Sequence, residues 1–227
     1  MSSTAWIIGN TDGIGRGLTH RLVNRGWHIT GFSRSPGALD AAGYEHHLID
    51  VADATYPALL QRLLAVSVPD LVVYCAGTGE ELNLDSMEAE SRTFEVNLLG
   101  MVRTVAAVIP AMAARGRGHF IGLSSLADEL RLSDAIGYYA SKAGFSAYLA
   151  GLARAAKKRG VAITNVRFGF VDTKMAQGPV KPMMMTVDRA VDHLETCIRR
   201  RPTRYTSPKR MVPLVKCLRL ASWLGLA

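Results

Sequence analysis

Tyr138 and Lys142, in "IGYYASKAGF", stand four residues apart, the spacing that puts two side chains on one face of a helix and within reach of the same small molecule. Tyr139 points about 100° away and is read as packing. A free phenol has a pKa of about 10 and is a poor acid at neutral pH, but a neighbouring ammonium favours the phenolate and lowers that value. The chemistry this pair suits is proton donation to the alkoxide formed when hydride reaches a carbonyl, and the reverse. Ser125 closes "GHFIGLSS" thirteen residues earlier and could hold the substrate oxygen. Ser124 competes for that role, since alternation along a strand turns one of the two toward a cleft. Asn97, in "EVNLLG", lies in a helical run where asparagine is a poor helix former, which predicts a held water or a perturbed helix.

A second constellation is suited to phosphate. "WIIGNTDGIGRGL" sets Gly9, Gly13 and Gly15, with Ile14 between the last two, between a strand and a helix. Backbone N–H groups there could approach a dinucleotide's pyrophosphate with no Cβ in the way. Asp12, inside the turn, opposes a nearby phosphate. At the end of "HITGFSRS" the chain has Ser33 and Arg34 where binding of the NAD ribose hydroxyls calls for a carboxylate. A hydroxyl and a guanidinium suit a 2′-phosphate, so NADP(H) is preferred, with NAD(H) the second option; the plain alternative is a surface arginine. Asp50, in "LIDVAD", is read either as a partner for the adenine amino group or as the N-cap of the next helix.

The elements that must position these groups alternate. "TAWIIG", 14–25, "HITGFS", 57–66, "DLVVYCAG", 94–114, "GHFIGLSS", 137–158 and "VAITNVRF" give strand and helix in turn, with "YEHHLID" as a further short strand. This predicts an α/β fold, a Rossmann-type doubly wound parallel sheet covered by helices on both faces, in one domain. After Thr173 "KMAQGPVKPMMM" breaks the alternation and is expected to form a flap. The tail from Lys209 reads as an amphipathic helix with Val212, Val215, Leu218 and Trp223 along an apolar stripe and Lys216 and Arg219 on the polar side. It could cover a subunit partner, the substrate pocket or a membrane surface.

The net charge of +8 is unevenly spread: residues 1–150 carry 11 Lys+Arg against 15 Asp+Glu, a net of −4, and residues 151–227 carry 16 against 4, a net of +12. Basicity confined to the last third disfavours nucleic acid and fits either a solvated face or an anionic partner. Three cysteines without metal-ligand spacing, and no secretory or membrane-spanning run, predict a reduced cytoplasmic protein without a metal site.

In order along the chain, "GNTDGIG", "DV" at Asp50, "CAG" from Cys75, Asn97, "SS" from Ser124, "YYASK" and "FGFVDT" from Phe168 resemble the classical short-chain dehydrogenase/reductase family, over Trp6 to about Thr173. The resemblance implies Tyr138 as general acid/base and Ser125 as the group polarising the carbonyl. Lys142 would hold the nicotinamide ribose and lower the tyrosine pKa, and Asn97 would anchor a water in the proton relay. It further implies cofactor contacts at Val51, Ala76, Gly77, Gly169, Val171 and Thr173. A substrate lid is implied over about 174–186, carrying Met175, Met183, Met184 and Met185, and a homodimer or homotetramer through the helices at 94–114 and 137–158. Ile8, Cys75 and Phe168 depart from the family's usual threonine, asparagine and proline. The expected activity is interconversion of a carbonyl and a secondary alcohol on a mostly apolar small molecule. The competing readings are a non-catalytic nucleotide-binding scaffold and a membrane-surface reductase of lipid-derived substrates.

Overall fold

The computed structural model describes residues 3–37, 39–176 and 181–224. The expected runs form strands β1 (Thr4–Ile8), β2 (His28–Ser33), β3 (Tyr44–Leu48), β4 (Leu71–Tyr74), β5 (Gly118–Ser125) and β6 (Val161–Phe168), apolar at the centre of the sheet and polar in the edge strand β3, and β7 (Arg204–Ser207) follows late in the chain. They join in one parallel sheet of order β3-β2-β1-β4-β5-β6-β7. Such a sheet must be covered on both faces, and alternation within β1 shows how. Trp6 and Ile8 join Phe32, Tyr56, Tyr74, Met101 and Phe145 on one side. Ala5 and Ile7 join Leu18, Ile29, Val73, Ile121 and Leu194 on the other.

The first face is covered by α2 (Tyr56–Val66), α4 (Gly100–Ala114) and α5 (Ile136–Lys157), and the second by α1 (Gly13–Val23) and α6 (Val187–Arg200). The helical run expected from Phe94 begins earlier, with α3 (Glu88–Phe94), and joins α4 through a π-helical turn at Glu95–Leu99. That run, Glu88–Ala114, contains an 18-residue stretch of mean hydropathy 1.6 and is long and apolar enough to cross a bilayer by length and composition, contrary to the expectation from the sequence. Half of its apolar stretch is buried inside the fold, so it packs as a core helix.

The expected break after Thr173 is local. The chain re-enters the pattern through α6, capped by Thr186, and through β7, whose sequence "RYTS" inside a cation-rich segment hides it from a search for apolar alternation. Of the flap, residues 177–180 lie outside the described residues. Its ends are held together: Val171 bridges Met185, with Asp172 N–H donating to Met185 O at 2.9 Å and Met185 N–H to Phe170 O at 3.0 Å. A last helix, α7 (Met211–Trp223), turns Met211 and Val215 inward against Leu126, Leu130 and Phe170.

Candidate active site

The strand order reverses between β1 and β4, and the carboxyl ends of parallel strands at such a point form a crevice. Four segments meet there: the turn after β1, the loops after β4 and β5, and the segment after β6.

The turn after β1 closes because two glycines permit it. Gly9 has φ +82°, and a Cβ there would lie 2.6 Å from Ala76 N; one at Gly15 would lie 2.0 Å from Gly9 O. The first helical hydrogen bond of α1 runs from Arg16 N–H to Asp12 O. The N–H groups of Ile14 and Gly15 therefore have no carbonyl of their own helix to reach. Asp12 caps the helix: its carboxylate accepts from Gly13 N–H at 2.8 Å and pairs with Lys174 Nζ at 3.0 Å. Lys174 is the main reason that the Asp12 carboxyl is held below its usual range, with Arg16 contributing. The acidic residue that seemed to oppose a phosphate is thus partly neutralised. Thr173 packs its methyl group beside Gly13.

At the end of β2, Ser33 Oγ accepts from Thr11 Oγ1 at 3.0 Å and donates to Ser35 O at 2.6 Å, while Arg34 extends largely into solvent with Nε 3.9 Å from Asp50 Oδ2. Asp50 does not cap a helix. α2 starts at Tyr56 with Thr55 in the cap position, and Asp50 instead accepts from Ala52 N–H at 2.9 Å and from the Arg92 guanidinium. Arg92, which the sequence reading did not single out, thus makes Asp50 the meeting point of two guanidiniums. Val51 is buried beside Gly100, with its carbonyl accepting from Arg103 at 3.3 Å.

Asn97 is fully buried in the π-helical turn. Its side-chain oxygen accepts from Thr78 N–H at 2.8 Å; its amide donates to Thr78 O at 2.7 Å and to Ser141 Oγ at 3.0 Å. The amide acts as a surrogate strand partner for the loop after β4, and the extra residue in the helical turn, a feature that recurs at functional sites, aims it there. Of the two expectations for Asn97, the perturbed helix is the one observed. Gly77, in the same loop, lies against Asn97 Oδ1, Met175 Cε and Lys142 Nζ.

The two serines separate as strand alternation requires. Ser124 is buried and bonded to Ser146 Oγ at 2.8 Å, away from the crevice. Ser125 faces it, its Oγ accepting from Ala127 N–H at 3.1 Å at the start of the 3-10 turn 126–129 and lying 3.4 Å from Phe168 O. Tyr138 stands on the first turn of α5, with its ring so close to Gly79 that a Cβ there would come within 2.7 Å of it. Gly79 is a site residue the sequence reading missed, one of many glycines with no motif to mark it. Tyr139 leaves the site and donates to the Asp134 carboxylate at 2.9 Å.

Lys142 is buried, with Nζ donating to Leu123 O at 3.0 Å and 5.7 Å from the Tyr138 ring centre. Burial lowers its pKa from 10.5 to about 8. The Tyr138 phenol is pushed up by burial, pulled back by the Ser125 hydroxyl and raised further by Asp128. The expected depression by Lys142 is therefore not what sets this phenol, since desolvation outweighs it.

Beneath Ser125 lies a charged cluster that the sequence reading did not single out. Arg167 on β6, 1% exposed, pairs with Asp128 on the 3-10 turn and, at 2.7 Å, with Glu129. Asp128 also accepts from Ser146 Oγ at 2.5 Å. Glu129 continues to Arg204 at 3.2 Å on β7 and Arg219 at 3.7 Å on α7. The signal was available: an arginine inside an otherwise apolar strand needs a buried partner. Gly169 completes the rim, its N–H donating to Ser207 O at 2.9 Å beside Met211.

Comparison with known proteins agrees with this architecture. The short chain dehydrogenase family model matches residues 3–182. An uncharacterized oxidoreductase of Myxococcus xanthus is 32% identical over 193 residues, covering 79% of this chain and 76% of that protein. The 3-oxoacyl-(acyl-carrier-protein) reductase of Escherichia coli is 28% identical over 183 residues, covering 76% and 75%. A short chain dehydrogenase from Burkholderia cenocepacia, solved in complex with NADP, superposes with TM-score 0.86 at 22% identity over 99% of this chain and 97% of that one. Since the matched region contains the glycine turn, Asn97, Ser125, Tyr138 and Lys142, the chain belongs to the short-chain dehydrogenase/reductase family and is an NAD(P)-dependent oxidoreductase.

Proposed function

We propose that the protein is an NADP(H)-dependent reductase of a carbonyl on a mostly apolar small molecule, with Tyr138 as general acid. The observation that carries this reading is that Ser125 and Tyr138 share one rim, close enough for the serine hydroxyl to act on the phenol, while Lys142 Nζ lies 3.0 Å from Leu123 O beneath them. The bound nicotinamide supplies the hydride. Ser125 donates to the carbonyl oxygen and polarises it; the Tyr138 phenol, kept protonated at neutral pH by burial, delivers its proton to that oxygen as negative charge develops. Lys142 would hold the nicotinamide ribose. Asn97 fixes the loop of Gly77 and Thr78, which would line the cofactor's side of the crevice.

The glycine turn fits a pyrophosphate at the N-terminus of α1 through the N–H groups of Ile14 and Gly15. Arg34 and Ser33 at the end of β2, with Arg92 close by at Asp50, support a 2′-phosphate and hence NADP(H). Ile8 and Phe168, which depart from the family pattern, are buried among core side chains. Together with half-buried Cys75, which packs against the second core, they support altered packing in an enzyme over loss of catalysis. Met175, lying beside Gly77, and Met184, exposed on the flap, support an apolar substrate.

A panel of carbonyl compounds followed at the NADPH absorbance tests the reading. Turnover with NADPH at least tenfold better than with NADH is expected. Arg34→Ala should weaken NADPH binding by about 10–100-fold, the value of about 1.5–3 kcal/mol for a charge-assisted hydrogen bond, and leave NADH unchanged. Equal use of the two cofactors by the unaltered protein contradicts the assignment.

A further inference from the structure

Helix α7 has two unlike faces. The inner one, Met211 and Val215, is buried on Leu126 of the turn that follows Ser125. The outer one is apolar and uncovered: Leu214 is 46% exposed, Leu220 58%, Trp223 73% and Leu224 55%, and Cys217 is exposed between them. Residues 214, 217, 220 and 224 recur at three- and four-residue intervals, so they form one stripe along the helix. Cations border it. From Thr196 to the last residue the sequence carries eight Lys+Arg and no Asp or Glu. Arg204 and Arg219 reach Glu129, whereas Arg199, Arg200, Arg201, Lys209, Arg210 and Lys216 are exposed and form no ion pair among the described residues.

We propose that this outer face of α7 docks on an anionic lipid surface, with Leu214, Leu220, Trp223 and Leu224 entering the headgroup layer and Lys209, Arg210 and Lys216 paired with lipid phosphates. Charge decides between the occupants. A second copy meeting this face symmetrically would bring cation against cation with no carboxylate on either helix. An anionic bilayer offers both an apolar layer and compensating charge. Because the inner face of the same helix packs on the turn carrying Ser125, docking holds the mouth of the crevice against the lipid. The inference concerns the surface and does not depend on the catalytic reading.

Co-sedimentation of the full chain with phosphatidylglycerol-containing vesicles, against pure phosphatidylcholine vesicles, tests it. The protein is expected to pellet with the anionic vesicles at least tenfold better than with the neutral ones, and less as salt is raised. L214E/L220E and K209E/K216E, all at exposed positions, should remain in the supernatant while retaining the elution volume and NADPH-dependent turnover of the parent. Equal pelleting of parent and variants, or no preference for anionic vesicles, overturns the proposal. So does a lipid-free assembly of the parent that L214E/L220E splits, which would give the face to a second copy.

Discussion

At the level of single residues, Lys142 shows what the sequence could and could not convey. Its spacing from Tyr138 was legible, because helical geometry leaves one lysine on that face. Its effect on the phenol was not, because the sign of a pKa shift depends on burial, and both groups are desolvated. A measurable consequence follows. Folding lowers the lysine pKa from 10.5 to about 8, so between those values the unfolded chain binds more protons than the folded one and stability rises with pH. Below pH 8 the native state bears the full cost of a buried ammonium. Lys142→Met should therefore melt no lower than the parent at pH 7 while losing turnover, and its advantage should shrink from pH 8 to 10.5. A variant that melts clearly lower at pH 7 would show that the bond to Leu123 O outweighs desolvation. The same limit applies to Asp50: the motif located it, but Arg92 reaches it only through a fold that brings residues 42 positions apart together.

Among the elements, the 3-10 turn after β5 is the part least visible in advance and most tightly held. Its anchor, Arg167, sits in "VAITNVRF", a strand otherwise well predicted, and its partners Asp128 and Glu129 look in sequence like loop charges. Removing one member of a buried pair leaves the other unpaired, at a cost of about 3–5 kcal/mol, whereas replacing both with apolar groups can be nearly neutral. Arg167→Met should thus lower the urea midpoint severely and Arg167→Met/Asp128→Leu should recover most of the loss. A single variant costing under about 1 kcal/mol would mean that water reaches the pair. β7 was missed for a related reason. It lies at the sheet edge with one residue in four buried, so apolar alternation, the signal used for the central strands, is weak there. The central strands were legible because burial on both faces forces continuous apolar runs, and the predicted helix bounds for α1, α2 and α5 fall within a residue or two of the observed ones.

Across the whole molecule, parallel order alone dictates where the chemistry sits. Strand order 3-2-1-4-5-6-7 opens one crevice at the carboxyl ends of β1 and β4. The residues singled out for cofactor and substrate come from segments 9–15, 33–34, 50–51, 76–79, 97, 125, 138–142 and 169–173, far apart in the chain and joined only by that sheet. The central claim is that this crevice reduces a carbonyl with Tyr138 as the acid. Its most direct test is single-turnover reduction by Tyr138→Phe, with NADPH binding measured in parallel by fluorescence. The account predicts binding within about threefold of the parent, since the hydrogen-bond partner of the phenol is Ser125 and not the glycine turn, and a loss of at least the 100-fold typical of removing a general acid. Reduction at the parental rate by a variant that binds NADPH normally would contradict it.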